Sequence, residues 1–290
     1  VTRSDAARSA RPRIGLSTSS VYPESTAQGF AWAAELGYEA VEVMVGIDAV
    51  SQQTTDVLQL MDHHAIPICA IHAPCLLFTQ AVWGLEPWGK LQRSAEMAQA
   101  VGAEVVVVHP PFRWQREYAR DFVNGIAALE ESTGVSFAVE NMYPWRASKR
   151  RLEMYLPGWD PSGETYANTT IDLSHAAIAH DDPIEMADRL GSRLRHIHLT
   201  DGSGSAKDEH LVPGRGAMGA ADFLHHLVDT GFAGEVVLEI NTRRCTTRAE
   251  READLRASLE FAREHLAARP AGSARRTPED ETAGETIAGS

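Results

Sequence analysis

The fold class predicted by this 290-residue chain is α/β, a single (β/α)8 TIM barrel. Three observations predict it. Short apolar runs alternate with longer segments of helical spacing from Ile14 to about Ala267. Seven of the runs end in an acid or an imidazole, namely Glu42, His72, His109, Glu140, Asp172, His198 and Glu239. One barrel of this kind normally takes about 250 residues. The expected organisation is therefore a barrel over 13–267, with polar, disordered tails over 1–12 and 268–290.

The elements follow in order. IGLSTSSV is the first strand, and TAQGFAWAAELG is a helix closed by Gly37. YEAVEVM leads to the helix TTDVLQLMDHHA, and IPICAIHAP to WGKLQRSAEMAQAVG. AEVVVVHPP leads to YARDFVNGIAALEESTG. VSFAVENMY and TTIDLSH are the fifth and sixth strands, and DPIEMADRLGS precedes the seventh, LRHIHLT. AADFLHHLVDTG, the strand GEVVLEIN and the closing helix RAEREADLRASLEFAREHLA complete eight β-then-α units. No GxGxxG follows the first strand, which counts against a dinucleotide-binding sheet.

Strand alternation aims the polar ends at one centre. In VSFAVE, Phe137 and Val139 oppose Ala138 and Glu140; in GEVVLE, Val236, Leu238 and Ile240 oppose Val237 and Glu239. In LRHIHL, Ile197 and Leu199 oppose His196 and His198. Each apolar face suits a helical layer, and each last polar residue suits a common interior at the C-terminal strand ends, where such barrels carry their sites.

Composition narrows the partners. A formal charge of −13 and a pI near 5.4 disfavour nonspecific attraction to nucleic acid or an anionic membrane, although a local basic patch could still admit DNA. Cys69, Cys75 and Cys245 form no CxxC pair and read as reduced thiols. The N-terminus lacks the apolar segment of a secretory signal, and no run approaches the length of a membrane span. A cytoplasmic location is expected, and a homo-oligomer is compatible with the sequence.

Glu140, Asp172, His198 and Glu239 bring three carboxylates and one imidazole together. Buried carboxylates repel one another, and a divalent cation offsets that cost. Further donors surround them: His72 and His109 at strand ends, His175 where the sixth strand turns into its loop, and Asp208 and His210 in KDEH. This nitrogen and oxygen set suits zinc, with manganese or iron also compatible.

Six short motifs occur in order: HAP at His72–Pro74, HPP at His109–Pro111, VEN at Val139–Asn141, DLSH at Asp172–His175, HLTD at His198–Asp201 and DEHLVPGRG at Asp208–Gly216. On these the chain resembles the xylose-isomerase-like TIM-barrel superfamily, which joins sugar and sugar-phosphate isomerases and epimerases to endonuclease IV. The isomerase and epimerase branch implies one catalytic metal on Glu140, Asp172, His198 and Glu239, with Glu140 and Glu239 also the acid/base pair. The endonuclease IV branch implies three zinc ions, held by His72, His109 and Glu140, by Glu140, Asp172, His198 and Glu239, and by His175, Asp208 and His210. The sequence departs from both branches. GLSTSSV lacks the histidine expected near the start of endonuclease IV, CLLFTQAVWGLEPWG lacks its polar DNA-contacting character, and TDGSGSAK lacks the substrate-holding arginine of ketose epimerases.

The expected function is a metal-dependent isomerase or epimerase of a sugar or sugar phosphate, moving a proton between Glu140 and Glu239 through an enediolate. The alternative is a trinuclear zinc phosphodiesterase acting on abasic DNA; a binding-only barrel is the third reading. Candidate substrate contacts are Glu42 for a hydroxyl, Trp114 and Trp145 (with Phe112 and Tyr143) for a sugar face, and Arg146 and Arg215 for an anion. Arg113, Lys149, Lys207, Arg243 and Arg244 are further cations in these loops, and Trp83 and Trp88 could shape one wall. His196 reads as a satisfied core histidine one layer deeper, and His63, His64, His225 and His226 as surface residues on helices.

Overall fold

The computed structural model describes residues 11–147 and 150–267. Its strands are β1 (Arg13–Ser17), β2 (Ala40–Met44), β3 (Ile68–His72), β4 (Val105–Val108), β5 (Ser136–Glu140), β6 (Trp145–Ala147), β7 (Arg150–Leu152), β8 (Thr169–Asp172), β9 (Leu194–Leu199) and β10 (Glu235–Leu238). All but β6 and β7 form one closed barrel in the order β1-β10-β9-β8-β5-β4-β3-β2, with parallel pairing throughout.

The alternation read from the sequence sorts the side chains into two layers. Phe137, Val139, Ile197, Leu199, Val236, Leu238 and Ile240 join the large core between strands and helices. Ala138 and Val237 point inward with Ala40, Cys69, Ala70, Val105 and Val107, a lining of mostly small residues. Gly15 marks how tight that lining is, because a Cβ there would stand 3.1 Å from Val237 and 3.2 Å from Cys69 Sγ. Small residues at this level leave room for the imidazoles and carboxylates one layer above.

The helices are α1 (Thr26–Leu36), α2 (Thr54–His64), α3 (Pro87–Val101), α4 (Arg116–Thr133), α5 (Leu173–Ala179), α6 (Pro183–Leu190), α7 (Ala220–Asp229) and α8 (Arg248–His265). Their distribution departs from eight regular β-then-α units. The crossover from β5 to β8 has no α-helix among the described residues; it carries the antiparallel hairpin β6–β7 and a 3-10 turn at Pro161–Gly163. Pro144, Pro157 and Pro161 interrupt helical hydrogen bonding there. The next crossover holds two helices, α5 and α6.

Two local expectations change. IGLSTSSV is a strand only to Ser17, after which Thr18–Val21 forms a 3-10 turn. TTIDLSH ends its strand at Asp172, whose side chain caps α5 by accepting from His175 N at 2.8 Å. His175 therefore stands on a helix rather than in a loop. His225 and His226 are half-buried, His226 facing Asp188 at 2.9 Å. Of the expected tails, residues 11 and 12 are described and Arg11 pairs with Glu39; the remainder lies outside the described residues. No helix of the described residues is long and apolar enough to cross a membrane.

Candidate metal centre

All nine predicted donors meet at the C-terminal mouth of the barrel. Glu140, at the end of β5, is their centre. Its Oε2 lies 3.4 Å from His72 Nε2 and 3.0 Å from His109 Nε2. Its Oε1 lies 3.1 Å from His198 Nδ1 and 3.2 Å from His175 Nδ1. His198 Nδ1 also faces Glu239 Oε2 at 3.0 Å and Asp172 Oδ2 at 3.8 Å. Glu140, Asp172, His198 and Glu239 can each place one donor atom within 4.8 Å of the others, and all are buried. Asp208 completes the outer part, 3.4 Å from His175 Nε2 and 3.0 Å from His210 Nε2.

Whether a cation fits can be judged from hydrogens. His72 Nδ1 donates to Ala73 O at 3.0 Å, His175 Nδ1 to Asn141 O at 2.9 Å, and His210 Nδ1 to Glu239 O at 2.6 Å. In the neutral tautomer each therefore turns an Nε2 lone pair towards a carboxylate. Lone pair against carboxylate is repulsive unless a proton or a cation lies between. Glu140 Oε2 and Asp172 Oδ2 are also buried without a hydrogen-bond partner. Buried orphan carboxylate oxygens beside exposed nitrogen lone pairs suit a divalent cation. Mixed imidazole and carboxylate donors match zinc, manganese or iron chemistry.

The same crowding moves the protonation equilibria of the protein alone. Burial opposes charge on every group here. For Glu140 the surrounding His198 and His109 outweigh it and hold the carboxyl well below its usual range. Glu239 is held low against its burial by His198 and His210. Asp172 moves the other way, raised by burial and then by the charge of Glu140. His198 is raised well above its usual value despite burial, led by Glu239 and Glu42. For His109, burial wins and lowers it.

Glu42 is expected from the sequence to meet a substrate hydroxyl, and the structure places it elsewhere. It is fully buried on β2, with both oxygens 3.2 Å from His198 Nε2 and Oε2 2.9 Å from His196 Nε2. It grips the back of a predicted ligand. His196 is buried as expected of a core histidine, but the expected hydrogen-bond satisfaction is not met, since neither of its nitrogens has an aligned hydrogen bond.

The other predicted substrate contacts are scattered. Trp114 is 49% exposed and stacks on Phe112 at 4.5 Å. Trp145, the first residue of β6, is half-buried and joins the same cluster with Tyr155. Arg146 lies on β6, and its side chain, like Lys149, is outside the described residues. Arg215 pairs with Asp254 on α8 at 2.6 Å, turned towards the outer layer. Tyr143 approaches the centre, its ring 5.0 Å from that of His175.

A cavity of about 670 Å³ opens instead above β1, β2 and β10, reaching Glu239, His210 and Asp208. Its walls include Ser19, Tyr22, Ile47, Leu76, Phe78 and Arg243. Of these, the sequence reading singles out only Arg243. Ser19 has a direct role, donating to Glu239 Oε1 at 2.9 Å. The signal that could have found these residues is position: the loops after the first, second, third and eighth strands must surround any site at that mouth.

A parallel barrel that gathers imidazoles and carboxylates at its C-terminal mouth defines a class of α/β barrels whose donors could hold a metal ion. Within that class the chain belongs to the xylose isomerase-like TIM barrel family, which it matches over residues 30–265. An uncharacterized protein of Mycobacterium tuberculosis is 45% identical over 273 residues, covering 88% of this chain and 98% of that protein. The D-psicose 3-epimerase of Clostridium cellulolyticum H10, solved with D-tagatose, superposes with a TM-score of 0.66 at 14% identity, covering 88% of this chain and 100% of that one. Endonuclease IV from Thermus thermophilus superposes with a TM-score of 0.57 at 21% identity, covering 87% of this chain and 100% of that one. At these identities the two structures share the fold with this chain.

Proposed function

We propose that the protein is a divalent-metal-dependent isomerase or epimerase of a sugar, sugar phosphate or related polyol, with Glu140 and Glu239 as the proton carriers. One observation carries the reading. The two carboxylates, from β5 and from the end of β10, meet the same His198 Nδ1 at 3.1 and 3.0 Å, and Glu239 borders the cavity. At about 670 Å³ that cavity falls inside the range of small-molecule sites. The net charge of −13 also favours a small substrate over a polyanionic duplex.

A cation on Glu140, Asp172, His198 and Glu239 would supply positive charge where adjacent carbonyl and hydroxyl oxygens become negative. Glu239 is held ionised and can accept a proton from a substrate carbon. Ser19 Oγ fixes one of its oxygens during that step. Glu140 is ionised as well, so it must first take up a proton from solvent. Delivering that proton to the other face of the carbon would invert it, and Glu239 would release the proton it accepted back to solvent. The substrate passes through an enediolate between the two transfers.

The test is deuterium wash-in from solvent, followed by NMR on a panel of ketoses and their phosphates with metal-loaded protein. Exchange by the wild type and its loss in E239Q, with the fold retained, is the expected result. Undiminished exchange in E239Q would remove the role of Glu239. A second reading, an endonuclease IV-like zinc phosphodiesterase, draws support from His175, Asp208 and His210, which add a further donor group beside Glu140. Chelator-sensitive cleavage of an abasic-site duplex, without proton exchange on any sugar, would put that reading first.

A further inference from the structure

Four carboxylates border the cavity, and each is committed. Glu24 pairs with Arg251 and accepts from Trp32 Nε1 at 2.8 Å. Asp48 accepts from the backbone of Thr26 at 2.7 Å and Val50 at 3.2 Å. Asp208 and Glu239 belong to the metal centre. The single arginine on the wall, Arg243, differs. Its guanidinium lies 4.4 Å over the ring of Tyr22, and among the described residues no carboxylate comes within ion-pair distance of it.

A guanidinium held over an aromatic face keeps its N–H groups in its own plane, where their outer edge can still meet a ligand. That edge matches two oxygens of a phosphate or carboxylate. The backbone beneath it is fixed on both sides. Asn241 N donates to His210 O at 2.8 Å, and Arg243 N to Asn241 Oδ1 at 3.1 Å. Thr242 Oγ1 donates to Ser20 O at 2.6 Å and accepts from Arg251 Nε at 3.0 Å. The loop thus links an arginine with a free edge to the strand that ends in Glu239. The surrounding wall residues Tyr22, Ile47 and Phe78 carry no charge and are 41%, 62% and 61% exposed, which leaves Arg243 as the counter-charge on this side of the cavity, away from the metal centre.

We propose that Arg243, stacked on Tyr22, is an oxyanion subsite, and that the substrate is a sugar bearing a phosphate or carboxylate rather than a neutral sugar. This rests on the small-molecule reading of the cavity. The anionic end sits at Arg243 while the reacting carbon lies towards Glu239.

The experiment is calorimetric titration of the metal-loaded protein with inorganic phosphate and, separately, with acetate, at fixed ionic strength. Wild type, R243Q, R243K and R244Q are compared, each checked for an unchanged thermal transition. R243Q is expected to weaken phosphate binding roughly tenfold or more, R243K to fall between, and R244Q to match the wild type. Phosphate binding that survives in R243Q belongs to the metal centre. Loss for phosphate alone identifies a phosphorylated substrate, and loss for both anions admits a carboxylated one. Equal binding by wild type and R243Q, or no binding by the wild type, overturns the subsite. Arg243-dependent binding with no proton exchange on any sugar would retain the subsite and remove the isomerase reading.

Discussion

Glu42 and His198 stand on β2 and β9, three strands apart around the barrel, and meet inside it with both Glu42 oxygens 3.2 Å from His198 Nε2. The other nitrogen of His198 faces Glu140, Asp172 and Glu239. A carboxylate behind a metal-binding imidazole fixes its tautomer and makes the front nitrogen more basic.

Replacing Glu42 by Gln keeps the shape and removes the charge behind His198. Divalent-metal affinity should fall about 10–100-fold while the ligands themselves remain. Competition titration against a chromophoric chelator reads this directly, and unchanged affinity would deny Glu42 the role.

Ser19 donates to the Glu239 oxygen that does not face His198. S19A removes a donor to the ionised form, so the Glu239 carboxyl should become easier to protonate. The acid limb of the exchange rate against pH should then move to higher pH. A lower rate with no movement of that limb would make Ser19 a packing residue only.

Metal-free protein should lose stability on the alkaline side. His175, His198 and His210 bind their protons more tightly in the fold than free imidazole does, because Asp172, Glu239 and Asp208 respectively lead the charges that outweigh burial. His210 is pushed up from 6.5 to about 10. That contribution is whole below about pH 6.5 and disappears as pH rises towards about 10. Depressed carboxyls such as Glu140 and Asp208 act in the opposite direction, contributing above their ordinary values and failing only in stronger acid. A bound cation replaces the imidazole protons. Thermal melts of chelated and metal-loaded protein at about pH 6 and about pH 9 should therefore diverge as pH rises.

Asp201 should prove a structural keystone of the loop that carries Asp208 and His210. Its buried carboxylate accepts from Gly202 N and Gly214 N at 2.9 Å and Met218 N at 3.1 Å, and its backbone pairs with Leu211. Gly216 has no room for a side chain against it, since a Cβ would lie 2.3 Å from Asp201 Oδ1. D201A should cost about 2–4 kcal/mol in urea unfolding, by leaving buried donors unmet. It should also weaken metal binding at Asp208 and His210 more than at Glu140. A cost below about 0.5 kcal/mol would show that the loop holds itself.

Metal content separates the two functional readings. About one divalent ion per chain by elemental mass spectrometry is the expected outcome for the isomerase or epimerase, with His72, His109 and His210 then free for substrate or structural roles. Near three zinc ions per chain would favour the phosphodiesterase.

The barrel and most of its donors were legible because a strand repeats every two residues. In VSFAVE and GEVVLE that period alone turns Glu140 and Glu239 inward, opposite residues that bury against helices. What spans the barrel was not legible. Glu42 and His198 are 156 residues apart, and no local pattern shows that their side chains meet inside the barrel. The hairpin β6–β7 was missed because its strands are only three residues each, too short to show a period. The aromatics Trp114 and Trp145, read as sugar platforms, pack with Phe112 beside Tyr155, in a crossover with no α-helix among the described residues.

Glu140 divides its two oxygens between different histidines, His72 and His109 on one and His175 and His198 on the other. Its removal would not register as the loss of one ligand among nine. Substitutions at His72 and at His198 should fail to add when combined, each altering the oxygen geometry available to the other, whereas in an E140Q background much of that coupling should vanish. With that outcome the centre would act as one titrating and binding unit, and single-residue energies measured within it would describe the unit rather than the residue.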